Sequence, residues 1–144
     1  VTVWCGWCKK MDKDVFTQPE VISAINNSYY PVKLDAQQSA DIRFNGNTYE
    51  YKMYGKKGFN EFAVELLKGR MGFPSLVFLD EDFKIIQALE GFQNPDRLAL
   101  ILNYFGDDAY KKTPWASYMK DYKIRLQNQQ LNMQSIRTVR RKKN

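Results

Sequence analysis

The chain has two cysteines and no histidine, and the cysteines stand three positions apart in the run Trp4-Cys5-Gly6-Trp7-Cys8. Before them, Val1 to Trp4 is a short β-branched and aromatic stretch. After them, Met11, Val15 and Phe16 alternate with Lys9, Lys10, Asp12, Lys13 and Asp14, which predicts a helix with one wet and one buried face. The pair therefore falls where a strand gives way to a helix. A thiol at such a junction meets backbone N–H groups that lack partners and the positive end of the helix dipole. Both favour thiolate, so Cys5 is expected to ionise below the value of a free thiol and to be the attacking sulfur. Cys8, one turn later on the same face, is close enough to close a disulfide with Cys5 and to resolve a mixed one.

The missing histidine excludes a Ser-His-Asp triad, a Cys-His protease pair and any His-ligated metal site built from this chain alone. Two thiolates are too few for a closed four-ligand zinc site without carboxylates or a second chain. A Cys-X-X-Cys taken alone serves redox chemistry, half a metal site or simple core packing. Flanking Trp4, the position after a strand and the downstream loop containing Pro74 turn the balance toward redox chemistry.

The rest of the chain reads as alternating α and β segments. Thr17-Gln18-Pro19-Glu20 has the form of a capping box with an early proline, ahead of Val21, Ile22 and Ile25 at helical spacing. Tyr29 to Leu34 predicts a strand. Asn45-Gly46, the strongest short hairpin signal, predicts a hairpin over residues 41–52, with a loop at Gly55–Gly58. Asn60 caps a helix through Leu67, with Gly69 just past its end. Ser75 to Leu79 is a nearly continuous apolar run, as in a strand covered on both faces, and Phe83 to Leu89 is an antiparallel neighbour. Asn94-Pro95 opens a helix closed by Gly106, and Thr113-Pro114 opens another whose stripe is Trp115, Tyr118, Met119, Tyr122 and Leu126. That stripe is expected to pack on a core. The order implies an α/β fold with a mixed sheet.

Trp4-Cys5-Gly6-Trp7-Cys8-Lys9-Lys10-Met11 resembles the active-site signature of thioredoxin-like proteins. Gly72-Phe73-Pro74-Ser75 with Leu76-Val77-Phe78-Leu79 resembles that family's cis-proline loop and its adjoining strand. The strand at Phe83–Leu89, Gly91 and the Pro95–Phe105 helix are similar to the last strand and helix of thioredoxins, so the resemblance covers roughly residues 1–105. It implies a thioredoxin fold with a mixed central sheet flanked by helices. Residues 36–69, which include the hairpin, would be an insertion before the proline loop, and residues 107–127 a C-terminal helical extension. It also implies thiol–disulfide exchange with protein substrates. Cys5 and Cys8 would be catalytic. Phe73–Pro74, as a cis peptide, would dock an extended substrate segment, and Trp4, Gly6, Trp7, Gly91 and Phe92 would line the substrate site around the sulfurs. No cofactor or metal is implied; electrons would come from or pass to an upstream redox partner protein. The alternative is a non-catalytic thioredoxin-fold module that binds client proteins.

The Cys-Gly-Trp-Cys centre is similar to that of bacterial thioredoxin-like proteins, many of them exported, which implies the periplasm or cell envelope, with the cytoplasm as alternative. Trp7 stands where thioredoxin itself has proline, so reductant, oxidant and isomerase roles all stay open. Val1-Thr2-Val3 reads as the end of a strand, and the fold calls for earlier residues, or less favourably a second chain, to supply what precedes it. Apolar runs fall short of the roughly 18 residues of a membrane helix. The net charge is +6, but residues 137–144 hold five basic groups and no acidic one, leaving the body nearly neutral. One domain is expected over residues 1–127, with 128–144 a solvated basic tail and no role in nucleic-acid binding.

Overall fold

The computed structural model describes residues 1–141, and side chains through residue 138. The chain packs as two compact units, Val1–Ala99 and Leu100 onward.

In the first unit the cysteine pair opens helix α1 (Gly6–Asp14), followed by α2 (Pro19–Ser28). Met11, Val15, Val21 and Ala24 form the buried faces of this helical pair, as their spacing requires. Pro19 takes the first helical position of α2, but its N-cap is Gln18, which makes no side-chain capping bond. Thr17 instead donates back to the Lys13 carbonyl at 2.6 Å, so the expected capping box is not formed.

Beyond α2 the chain forms three two-stranded antiparallel sheets. Strands β1 (Ile42–Phe44) and β2 (Asn47–Tyr49) turn through Asn45 and Gly46, both at positive φ, as the Asn-Gly signal requires. Strands β3 (Tyr51–Tyr54) and β4 (Lys57–Asn60) form a second hairpin where the sequence suggested a loop. Its turn places Gly55, at φ +65°, in the first central position. Helix α3 (Glu61–Leu66) starts directly from β4 and is capped by Asn60, whose Oδ1 accepts from the Phe62 amide at 3.0 Å. Strands β5 (Ser75–Leu79) and β6 (Ile85–Glu90) pair across a bulge at Phe78/Leu79. With one strand neighbour, β5 buries only Phe78 fully; its other side chains are half-buried rather than covered on both faces.

Neither segment expected as a strand forms one: Val3 and Trp4 lie in a turn closed by the Cys5 amide donating to the Thr2 carbonyl at 3.2 Å, and Tyr29–Leu34 has no regular secondary structure. The Val1 amino group donates to the Leu34 carbonyl at 2.9 Å, and the Ala36 amide donates to the Val1 carbonyl at 2.8 Å. Together these form one rung of a parallel pairing centred on Val1 and Asp35. Beyond that rung Tyr30 and Val32 are exposed.

Helix α4 (Pro95–Gly106) begins in the first unit, with Asn94 capping through its Oδ1 to the Arg97 amide at 2.9 Å. In the second unit Tyr104 is the buried centre. Its ring meets Phe105, Tyr110, Trp115 and Tyr118, and its hydroxyl donates to the Thr113 carbonyl at 2.7 Å. Burial pushes the Tyr118 phenol above its ordinary value. Helix α5 (Trp115–Arg141) runs well past residue 127, so residues 128–141, expected as tail, are helical; residues 142–144 lie outside the described residues. Trp115, Tyr118, Met119 and Tyr122 are half-buried, but Leu126 and every residue over 123–138 are exposed, so the predicted core stripe covers only the first two turns. Among the described residues no helix is long and apolar enough to cross a membrane.

Candidate functional site

Cys5 is the N-cap of α1, with extended backbone at φ −77° and ψ 98°. Its sulfur accepts a hydrogen bond from the Cys8 amide at 3.1 Å, and its carbonyl accepts from the Lys9 amide at 3.2 Å. A side-chain acceptor at this position satisfies one of the helix's orphan donors, the role usually taken by Ser or Asp. The first turn carries no acidic residue to offset the positive end of the helix dipole. Cys5 and Cys8 are joined in a disulfide with Cα atoms 5.3 Å apart. The separation of three residues on one helical turn is what makes that approach possible.

Each cysteine is only 4% exposed, whereas Trp4 and Trp7 are 56% and 58% exposed. The indoles are therefore what a partner meets first. A side chain at Gly6, between them, would meet nothing within 4 Å.

Three distant segments converge here. Trp4 stands edge-on to Phe73, with centroids 6.0 Å apart, and Trp7 meets Phe92 at 5.4 Å. The Phe73–Pro74 peptide is cis, and Pro74 is buried. The Gly91 amide, on a residue at φ +93°, donates to the Pro74 carbonyl at 2.8 Å, which holds the Gly91–Phe92 segment beside the proline loop. Ser75 fixes the same loop by donating from its hydroxyl to the Gly72 carbonyl at 2.7 Å. Trp4, Cys5, Gly6, Trp7, Cys8, Phe73, Pro74, Gly91 and Phe92 are thus linked through a short chain of ring contacts and backbone bonds.

Two contributors were not singled out in the sequence. Gln37 accepts the Trp4 indole N–H at 2.7 Å and donates through Nε2 to the Gly58 carbonyl at 3.2 Å. Lys57, at the start of β4, carries its ammonium 5.3 Å from the centre of the Trp4 ring. Beneath them Phe59 and Ala63 form a buried cluster with Ala36, and Phe73 packs against it. The insertion is thereby attached to the cysteine motif. No sequence pattern announces such contacts, because Gln37 and Lys57 lie in polar stretches with no periodicity. Among the described residues no group of three or more acidic or sulfur ligands is placed to hold a metal ion.

A disulfide within one turn at a helix N-terminus, beside a proline loop, defines a dithiol–disulfide centre in an α/β domain. The family model for the thioredoxin-like domain matches residues 1–106, and the chain belongs to that family. Neither a curated protein nor a solved structure matches it.

Proposed function

We propose that this chain is a thiol–disulfide oxidoreductase acting on protein substrates, and the observation that carries the reading is the Cys5–Cys8 disulfide at the head of α1. In the reducing direction the Cys5 thiolate attacks one sulfur of a substrate disulfide and expels the other as thiolate. Cys8, once deprotonated, then attacks the Cys5 sulfur and displaces the second substrate thiolate. The substrate gains two electrons and two protons, and the chain is left with its Cys5–Cys8 bond. A dithiol partner protein restores the reduced pair by the same exchange. Run backward, the steps oxidise a substrate dithiol.

The remaining residues bind. The backbone at Phe73, next to Pro74, takes an extended substrate segment as a short β-bridge. Trp4, Trp7 and Phe92 supply apolar walls around the sulfurs, Gly6 leaves room for the incoming chain, and Gly91 holds the proline loop in place. Because an extended strand presents only backbone at the bridge, this arrangement accepts many sequences.

The direct test is reduction of insulin disulfides with dithiothreitol as electron source. The wild-type chain should accelerate the reaction, and Cys5→Ser should return it to the uncatalysed rate. Equal rates for the two would remove the redox reading. The competing reading, a module that only holds client proteins, draws on Met53 and Tyr54, which are exposed on the β3–β4 hairpin. It predicts client binding that Cys5→Ser leaves intact without any exchange.

A further inference from the structure

The β3–β4 hairpin has two ends with different attachments. At its root Glu61 accepts from the Lys52 ammonium at 2.6 Å and from the Glu50 amide at 3.0 Å, which ties the hairpin to α3. Its turn end carries Lys56 and Lys57. Gln37 holds the Gly58 carbonyl and the Trp4 indole together, so the turn end is fixed against the residue that precedes Cys5. Lys57 lies over the Trp4 ring with an exposed side chain, and no carboxylate among the described residues is within ion-pair distance of it. Lys10 and Lys33, by contrast, are taken up by Asp14 and Asp12. Trp4 therefore touches Phe73 on one side and an uncompensated ammonium on another.

We propose that Lys57 is a specificity residue of the disulfide site, selecting substrate segments that carry an acidic side chain close to the cysteine being exchanged. This rests on the oxidoreductase reading above. A segment bridged to the Phe73 backbone advances about 3.3 Å per residue, so a side chain a few positions from its cysteine comes alongside Trp4 and meets the ammonium. A cation already seated on an aromatic face has shed part of its water and has little freedom left to lose, which favours pairing with a carboxylate. The insertion is then part of the docking surface, supplying charge recognition that the backbone bridge cannot.

The experiment uses three disulfide-linked peptides that differ at one position a few residues from the cysteine, carrying Glu, Gln or Lys. Their reduction by the wild-type chain, Lys57→Gln and Lys57→Glu is measured at low and high salt. The wild type should favour the Glu peptide over the Lys peptide by about threefold at low salt, the size expected of an exposed ion pair. The difference should sit in KM and shrink with added salt. Lys57→Gln should bring the ratio near one, and Lys57→Glu should reverse it. The Gln peptide reports any general loss of folding, and Lys57→Gln decides the matter if Lys57→Glu folds poorly. A ratio near one in the wild type, or one that both substitutions leave in place, overturns the proposal while leaving the oxidoreductase reading intact. Failure of the wild type to exchange with any peptide and with insulin overturns both.

Discussion

The backbone amide of Cys8 points at the sulfur of Cys5 from 3.1 Å, inside the same helical turn that the disulfide closes. In the reduced chain that donor stays with the helix and favours charge on Cys5 over charge on Cys8. The two sulfurs should therefore play unequal parts. Cys8→Ser should accumulate a stable mixed disulfide between Cys5 and a protein substrate, visible on non-reducing gels and removed by dithiothreitol. Cys5→Ser should give none. Equal adduct yields from the two variants would contradict the assigned roles.

Asn60 is fully buried and uses every polar group it has. Its side-chain amide donates to the Ala40 and Tyr49 carbonyls, both at 3.3 Å, and its oxygen caps α3. Its own backbone amide donates to the Ala36 carbonyl at 2.8 Å. One residue thus joins the segment after Ala36, the first hairpin and α3. Asn60→Ala removes a cap and orphans two carbonyls, and should cost about 2–3 kcal/mol in denaturant unfolding. A loss below about 0.5 kcal/mol, the level of an ordinary surface change, would show the junction is held by other contacts.

The Glu61 carboxyl is held below its usual range, first by the hydrogen bond from Lys52 and then by the Glu50 amide. Asp14 is lowered in the same way by Lys10. A depressed folded-state pKa means that the stabilisation is present above the unfolded-state value and is lost as pH falls through the folded one. Lys52 is raised by the same Glu61 bond, so its share disappears only as pH rises through its elevated value. Carboxyl NMR titration should place Glu61 and Asp14 below ordinary Glu and Asp. Lys52→Met should move Glu61 back toward its normal value, and salt should narrow the gap because both pairs are exposed. A Glu61 titration unchanged in Lys52→Met would refute this pairing.

Trp4 is more than half exposed, yet it is held by Gln37, Phe73 and Lys57. Gln37→Leu removes the acceptor of the indole N–H and the donor to Gly58 together. The Trp4 indole proton should shift upfield in NMR and exchange faster with solvent, while the Cys5–Cys8 bond still forms. An unchanged indole resonance would mean that Gln37 does not hold the ring.

Much of the site was legible because its chemistry is local. A thiol at the head of a helix and an Asn-Gly turn each carry their geometry within a few residues, whereas the strand expected before Cys5 is a turn and the cis peptide at Phe73–Pro74 was an implication of the family resemblance. Caps at Asn60 and Asn94 were readable for the same reason. The β3–β4 hairpin was missed because Gly55-Lys56-Lys57-Gly58 reads as a polar loop, and its pairing is fixed by tethers at Glu61 and Gln37 that no pattern encodes. The strand expected at Tyr29–Leu34 has the right composition but only one backbone rung at Val1, since a parallel strand exists only through its neighbours. Helix α5 outran its expected end because Leu131, Met133 and Ile136 sit among glutamines and arginines, good helix formers that propagate a helix without needing a core.

The central claim is that Cys5, at the head of α1, is the activated sulfur. In the reduced chain, alkylation by iodoacetamide monitored across pH by mass spectrometry reads each cysteine separately. Cys5 should react first, with a midpoint below that of a free cysteine thiol, and Cys8 should react later and at higher pH. Indistinguishable midpoints at the free-thiol value, or earlier reaction of Cys8, would contradict the account.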